Sequence, residues 1–216
     1  MRIDNLGAGL FRILIPFDGD VTTTVYVVLC DGGVAIVDSA TYPTDVDNYI
    51  IPALEELKIP IESVKCLLLT HNHGDHAGGA KRILELAENA TIRASFVFDS
   101  LRFAPLNDGE LIGDRLQAVF LPGHTDHSVG FFDLKMNTLL SGDCLQLEGV
   151  GKYRDGIGFP SLYIESCEKL KKMNISRIVT AHEYDPLGSV ADGEAEVVKY
   201  LDLCIEIAKK LITPKG

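Results

Sequence analysis

Polar and apolar positions along this chain run through the same order twice. Near the start, Thr23-Thr24-Val25-Tyr26-Val27-Val28-Leu29 is β-branched and aromatic, Asp31-Gly32-Gly33 is a turn, and Val34-Ala35-Ile36-Val37 returns, so residues 22–38 predict a hairpin ending at Asp38. Residues 43–58 carry Val46, Ile50, Ala53, Leu54 and Leu57 at helical spacing. Residues 65–69 read as a buried strand, and residues 76–87 as a helix with Ile83, Leu84 and Ala87 on one face. Short strands are expected near Ile92 and over 116–121. In the second round, 129–133 and 138–141 form a hairpin around Lys135-Met136-Asn137, and 160–173 a helix with Leu162, Ile164, Cys167 and Leu170. Residues 177–180 form a strand leading to His182, and 193–211 a closing helix.

Each round is a hairpin ending in Asp, a helix, and a strand ending in His, giving the pairs Asp38/His71 and Asp143/His182. Two β-rich halves with flanking helices predict two sheets packed face to face, helices outside, with the side chains at strand ends meeting on one rim.

Composition narrows the setting. With 216 residues the chain is long enough for a substantial core, and no apolar run approaches the length of a membrane span. The opening Met1-Arg2-Ile3-Asp4-Asn5 lacks the charged-then-apolar order of a secretion signal, so a soluble, cytoplasmic protein is expected, with no membrane partner. A net charge of −11 without a dense basic block argues against nucleic acid as a partner. The five cysteines form no Cys-x-x-Cys pair and sit mostly in apolar segments, as reduced core residues do.

The chemistry is concentrated in His71-Asn72-His73-Gly74-Asp75-His76, directly after the strand 65–69. Three of the six histidines fall in this window, and imidazoles with a carboxylate suit a borderline divalent ion such as zinc. Asp75 taken alone would also serve as a helix N-cap, and Asp143 as a turn residue. Three further candidates stand where an apolar segment meets a loop: His124, Asp143 and His182. Asp38 is the candidate to hold the second nitrogen of a ligating histidine. His127 is left outside the set, and Cys144 is assigned to the core.

His71-x-His73-x-Asp75-His76, followed in order by His124, Asp143 and His182, resembles the metallo-β-lactamase superfamily. The resemblance implies a four-layered αββα sandwich, one domain over 1–216. It implies two divalent ions, zinc first, with iron or manganese as other fits. His71, His73 and His124 would hold one ion, Asp75, His76 and His182 the second, and Asp143 would bridge them. The implied activity is a metal-dependent hydrolase whose bridging hydroxide cleaves an ester, thioester or lactone of a small metabolite, with Asp75 passing a proton.

Within the superfamily, residues 143–170 look like the loop-then-helix segment of glyoxalase II-like thioesterases. There Lys152 and Arg154 would either hold a substrate carboxylate or stand as solvated loop charges. Homoserine lactonases carry a Tyr where this chain has Gln146, and true β-lactamases a Cys where it has Asp143. With only about 34 residues after His182, the helical domain that completes a glutathione site in that branch is not expected, so glutathione is weakly supported as the substrate. A persulfide dioxygenase-like enzyme with one iron on His71, His124 and Asp143, or a phosphodiesterase for a small substrate, are the alternatives. A homodimer is left open.

Overall fold

Neighbouring side chains on one strand go to different interiors. Val25 and Val27 of the strand Val21–Cys30 lie in one apolar cluster, while Tyr26 and Val28 lie in another, as the two-residue period of a strand requires. The computed structural model describes residues 1–147, 156–184 and 188–212. Seven strands build the first sheet in chain order: β1 (Arg2–Gly7), β2 (Leu10–Asp18), β3 (Val21–Cys30), β4 (Gly33–Val37), β5 (Val64–Leu68), β6 (Thr91–Ala94) and β7 (Phe103–Pro105). The second sheet runs β13 (Gly188–Asp192), β12 (Arg177–Tyr184), β11 (Thr138–Gly142), β10 (Val129–Asp133), β9 (Leu116–Phe120) and β8 (Leu111–Ile112).

Three apolar clusters define four layers. The outer face of the first sheet packs Ile13, Val25, Ile36 and Leu67 against Val46, Ile50, Leu54 and Ile83 of the helical segments. The inner faces of both sheets meet through Tyr26, Val37, Leu68, Phe131, Leu140 and Val179. The outer face of the second sheet packs Leu139 and Ile178 against Tyr163, Cys167, Leu201 and Cys204 of the last two helices. This is the α/β sandwich of four layers, and strands such as Val34-Ala35-Ile36-Val37 are apolar throughout because both their faces are covered.

The internal repeat is present as topology. In the first sheet the hairpin β3–β4 is followed by β5 pairing parallel to β4; in the second, β10–β11 is followed by β12 pairing parallel to β11. Asp38 directly follows β4, and Asp143 directly follows β11. Buried polar groups lock the sheets in register. Tyr26 donates its hydroxyl to the carbonyl oxygens of Val179 and Thr180 at 3.2 and 3.0 Å, and Thr24 Oγ1 donates to Ala181 O at 2.8 Å. Arg115 is fully buried. It donates to the Asp133 carboxylate on its own sheet and to Ala8 O and Leu29 O on the other, at 2.7 and 2.8 Å.

Several elements differ from the sequence expectation. Residues 43–56 are helical, but α1 (Pro43–Asp45) and α2 (Ile51–Glu56) are joined by a π-turn, Val46–Ile50. Pro52 has no N–H for the α-helical bond, and Ile51 N–H reaches back to Val46 O instead. The helix expected over 76–87 is two short ones, α3 (Gly74–Ala77) and α4 (Ala80–Leu86), broken at Gly78-Gly79. A Cβ on Gly78 would stand 1.9 Å from Thr41 O, and one on Gly79 2.1 Å from Ser39 O, so the 39–41 backbone crosses there in direct contact. Strands β1, β2 and β13 were not expected, and β12 runs on through His182 to Tyr184. Helices α5 (Pro160–Leu170) and α6 (Glu194–Ile212) cover the second sheet. Among the described residues no helix is long and apolar enough to cross a membrane.

Candidate metal centre

The loops after β5, β9, β11 and the end of β12 deliver seven donor side chains to one rim of the sandwich. They fall into two groups. His71, His73 and His124 form the first; Asp75, His76, Asp143 and His182 form the second, and within each group the donor atoms lie within 4.8 Å of one another. In the first, the three rings stand mutually edge-on with centroids 4.5–4.7 Å apart, and His124 Nε2 is 3.0 Å from His73 Nδ1. In the second, Asp75 Oδ2 lies 3.1 Å from His182 Nε2 and 3.3 Å from His76 Nε2. Asp143 stands between them: Oδ1 is 3.5 Å from His76 Nε2 and 3.4 Å from His182 Nε2, while Oδ2 is 3.8 Å from His124 Nε2. His71, His76 and His182 are buried and His73 is exposed, so the centre opens on the His73 side.

The outer ends of four imidazoles are held by acceptors. His76 Nδ1 meets Asp38 Oδ2 at 2.8 Å, His182 Nδ1 meets Thr22 O at 2.7 Å, and His124 Nδ1 meets Gly156 O at 2.6 Å. His71 Nδ1 meets Thr70 Oγ1 at 3.0 Å. The Thr70 hydroxyl has one proton, which goes to Asp38 at 2.9 Å, so it accepts from His71. Each of these four rings therefore carries its outer proton on Nδ1 and turns Nε2 inward. Among the described residues, His71 Nε2 and His76 Nε2 are buried with no hydrogen-bond partner. Two orphaned buried nitrogens, aimed at other lone pairs, fit a cation and fit little else.

Electrostatics separate the groups. Burial holds His71 well below the ordinary histidine range, with His76 and His124 adding to it, and burial with His124 lowers His73. In the first group, burial and neighbouring rings thus disfavour charge on His71 and His73. In the second, burial opposes charge on His76, yet Asp143, Asp38 and Asp75 hold it well above the usual value. His182 is raised against burial by Asp143 and Asp75. Burial would raise both carboxylates, but His182 and His76 hold Asp143 well below the carboxylate range, and His76 and His182 do the same for Asp75. The second group concentrates negative charge and gathers positive charge around it.

The approach of β5 to Asp38 depends on local strain. Asp38 and Ala40 both adopt left-handed backbone, with φ of 62° and 60°. Ser39 N–H donates to His76 O at 2.7 Å, which ties this strained turn to the histidine helix. Other sequence candidates lie elsewhere. His127 sits outside both groups, with Nδ1 2.7 Å from Asp126 Oδ1 and its ring against Phe96. Cys144 is buried, and burial pushes its thiol up. Lys152 and Arg154 lie outside the described residues. The sequence reading missed Tyr184, a buried residue whose hydroxyl donates to Asp143 Oδ1 at 2.9 Å. Its place two residues after His182 on one strand was the available signal.

The sequence model of the metallo-beta-lactamase superfamily matches residues 18–101. A hydroxyacylglutathione hydrolase of Synechococcus sp. is 31% identical over 147 residues, covering 62% of this chain and 56% of the relative. The beta-lactamase-like protein 2 homolog of Drosophila melanogaster is 32% identical over 168 residues, covering 68% of this chain and 55% of the relative. The chain spans little more than half the length of these curated relatives. Among solved structures, a metallo-beta-lactamase family protein from Thermus thermophilus superposes with TM-score 0.73 at 20% identity, covering 95% of this chain and 81% of that one. A rubredoxin oxygen:oxidoreductase from Desulfovibrio gigas gives TM-score 0.73 at 16% identity, covering 96% of this chain and 62% of that one. These structures share the fold; an oxidoreductase among them means that fold alone does not select the chemistry.

Proposed function

We propose a metal-dependent hydrolase that cleaves an ester, thioester or lactone bond of a small metabolite; the match of residues 18–101 to the metallo-beta-lactamase superfamily and the shared fold support this reading. Thioesters come first, because curated relatives are named hydroxyacylglutathione hydrolase. The observation that carries this reading is Asp143, whose two oxygens face the two donor groups. His71, His73 and His124 would hold one divalent ion, Asp75, His76 and His182 the other, with Asp143 shared and zinc the first candidate. Bound there, the ions would supply a Lewis acid for the scissile carbonyl and a hydroxide nucleophile at neutral pH.

The chain's own groups do the rest. Asp38, Thr70, Thr22 O and Gly156 O hold four rings in one tautomer, so no reorientation is needed at the reacting centre. Asp75 would take the proton released by the attacking water and return it to the leaving group. The exposed edge at His73 admits the substrate.

The test is metal analysis of protein purified without added metal, with hydrolysis assays on thioesters, esters, lactones and phosphodiesters. Two zinc-like ions per chain and thioester turnover support the reading. One iron per chain with oxygen consumption and no hydrolysis overturns it in favour of a dioxygenase.

A further inference from the structure

Tyr184 is the one described side chain outside the seven donors whose hydroxyl bonds to Asp143. It lies near the end of β12, 2% exposed, with its ring edge-on to His182 at 6.0 Å between centroids. Its hydroxyl donates to Asp143 Oδ1 at 2.9 Å. That oxygen also faces His76 and His182 of the second group. The other oxygen, Oδ2, faces His124 of the first group.

A carboxylate oxygen offers two lone-pair directions. A phenol that occupies one of them leaves the other as the only direction for a ligand, and it fixes the rotation of the whole carboxylate. We infer that Tyr184 is a positioning residue: its hydroxyl pins Asp143 Oδ1 so that the free lone pair faces Asp75, His76 and His182, and so sets how tightly the second donor group takes its ion. The effect is unequal because the pinned oxygen belongs to the second group. The first group meets Asp143 through its other oxygen, Oδ2, and its three histidines take no bond from Tyr184.

This inference rests on the proposed two-ion centre, and the experiment separates the two. Full-length protein is stripped with a chelator and titrated with Co2+ against a chromophoric competitor, wild type beside Tyr184→Phe. The expected result is an unchanged first equivalent and a second equivalent weakened about 10–100-fold, the range for losing an outer partner of a ligand. The melting temperature of the metal-free variant should match wild type. Turnover should fall at limiting Co2+ and recover in excess Co2+. A variant that titrates like wild type overturns the assignment. So does equal weakening at both equivalents with a lowered metal-free melting temperature, which marks a purely structural residue. A wild type that takes up no second equivalent overturns the two-ion centre itself, and this inference with it.

Discussion

Thr70 and Asp38 are joined twice: the Thr70 hydroxyl lies 2.9 Å from Asp38 Oδ2, and the Thr70 amide donates to Asp38 Oδ1 at 2.9 Å. Asp38 also holds His76, and Thr70 also holds His71. One buried carboxylate therefore orients a histidine in each donor group, directly in one case and through a hydroxyl in the other.

Thr70→Val keeps the shape and the amide bond but removes the hydroxyl relay. The expected outcome is a loss of about 10–100-fold in affinity at the first group, with the second group retained. Competitive metal titration checks it, and equal affinities in variant and wild type would refute the relay.

Asp143→Asn keeps the volume and, at Oδ1, an acceptor for Tyr184. It removes the charge shared between the groups. Folding should be largely preserved, by circular dichroism, while hydrolysis of the best substrate disappears. Wild-type rates in this variant would rule out the shared role of Asp143.

Arg115→Met should be among the costliest single changes away from the centre. It leaves Asp133 buried and unpaired, and frees Ala8 O and Leu29 O of their donor. Removing one partner of a buried pair costs about 3–5 kcal/mol. Urea denaturation measures this, and pairing Arg115→Met with Asp133→Leu should recover a good part of the loss. A shift below about 1 kcal/mol in the single variant would show that the pair contributes little.

The thiols give a pH prediction with a definite sign. Burial pushes Cys66 from an ordinary 9.0 up to about 12, and Cys144 and Cys30 also rise by burial. The folded state keeps these thiols neutral, so their contribution to stability is whole below the unfolded value near 9.0 and is lost as pH climbs towards about 12. The urea midpoint should fall through that alkaline window. At ~pH 8, iodoacetamide should label Cys66 of the folded protein far more slowly than the unfolded chain. Equal labelling rates would contradict the burial argument.

Much of the fold was legible because period and punctuation agree. The hairpin over 22–38 appears as β3 and β4, and the closing helix over 193–211 as α6. The meeting of these seven side chains was legible because histidines at strand ends have no packing reason to cluster. What was lost was lost to tertiary contacts. The strand β2 hides in Leu10-Phe11-Arg12-Ile13-Leu14-Ile15, where Arg12 looks like a surface residue yet is buried against Asp4 and Ser189. The edge strand β13 is five residues of Gly, Ser, Val, Ala and Asp, too short and mixed to declare a period. The break at Gly78-Gly79 comes from the 39–41 backbone passing overhead, a contact some forty positions away in the chain. Tyr184 depends on an equally distant partner, Asp143.

Each donor group draws on both sheets. His71 and His73 follow β5 of the first sheet while His124 follows β9 of the second; Asp75 and His76 belong to the first half, Asp143 and His182 to the second. No half of the molecule holds a complete donor group, so sliding one sheet a few ångströms over the other would dismantle both groups together. If the proposed ions bind there, metal loading would be a gauge of sheet docking, and a defect in the interior far from any histidine should announce itself first as weakened metal uptake.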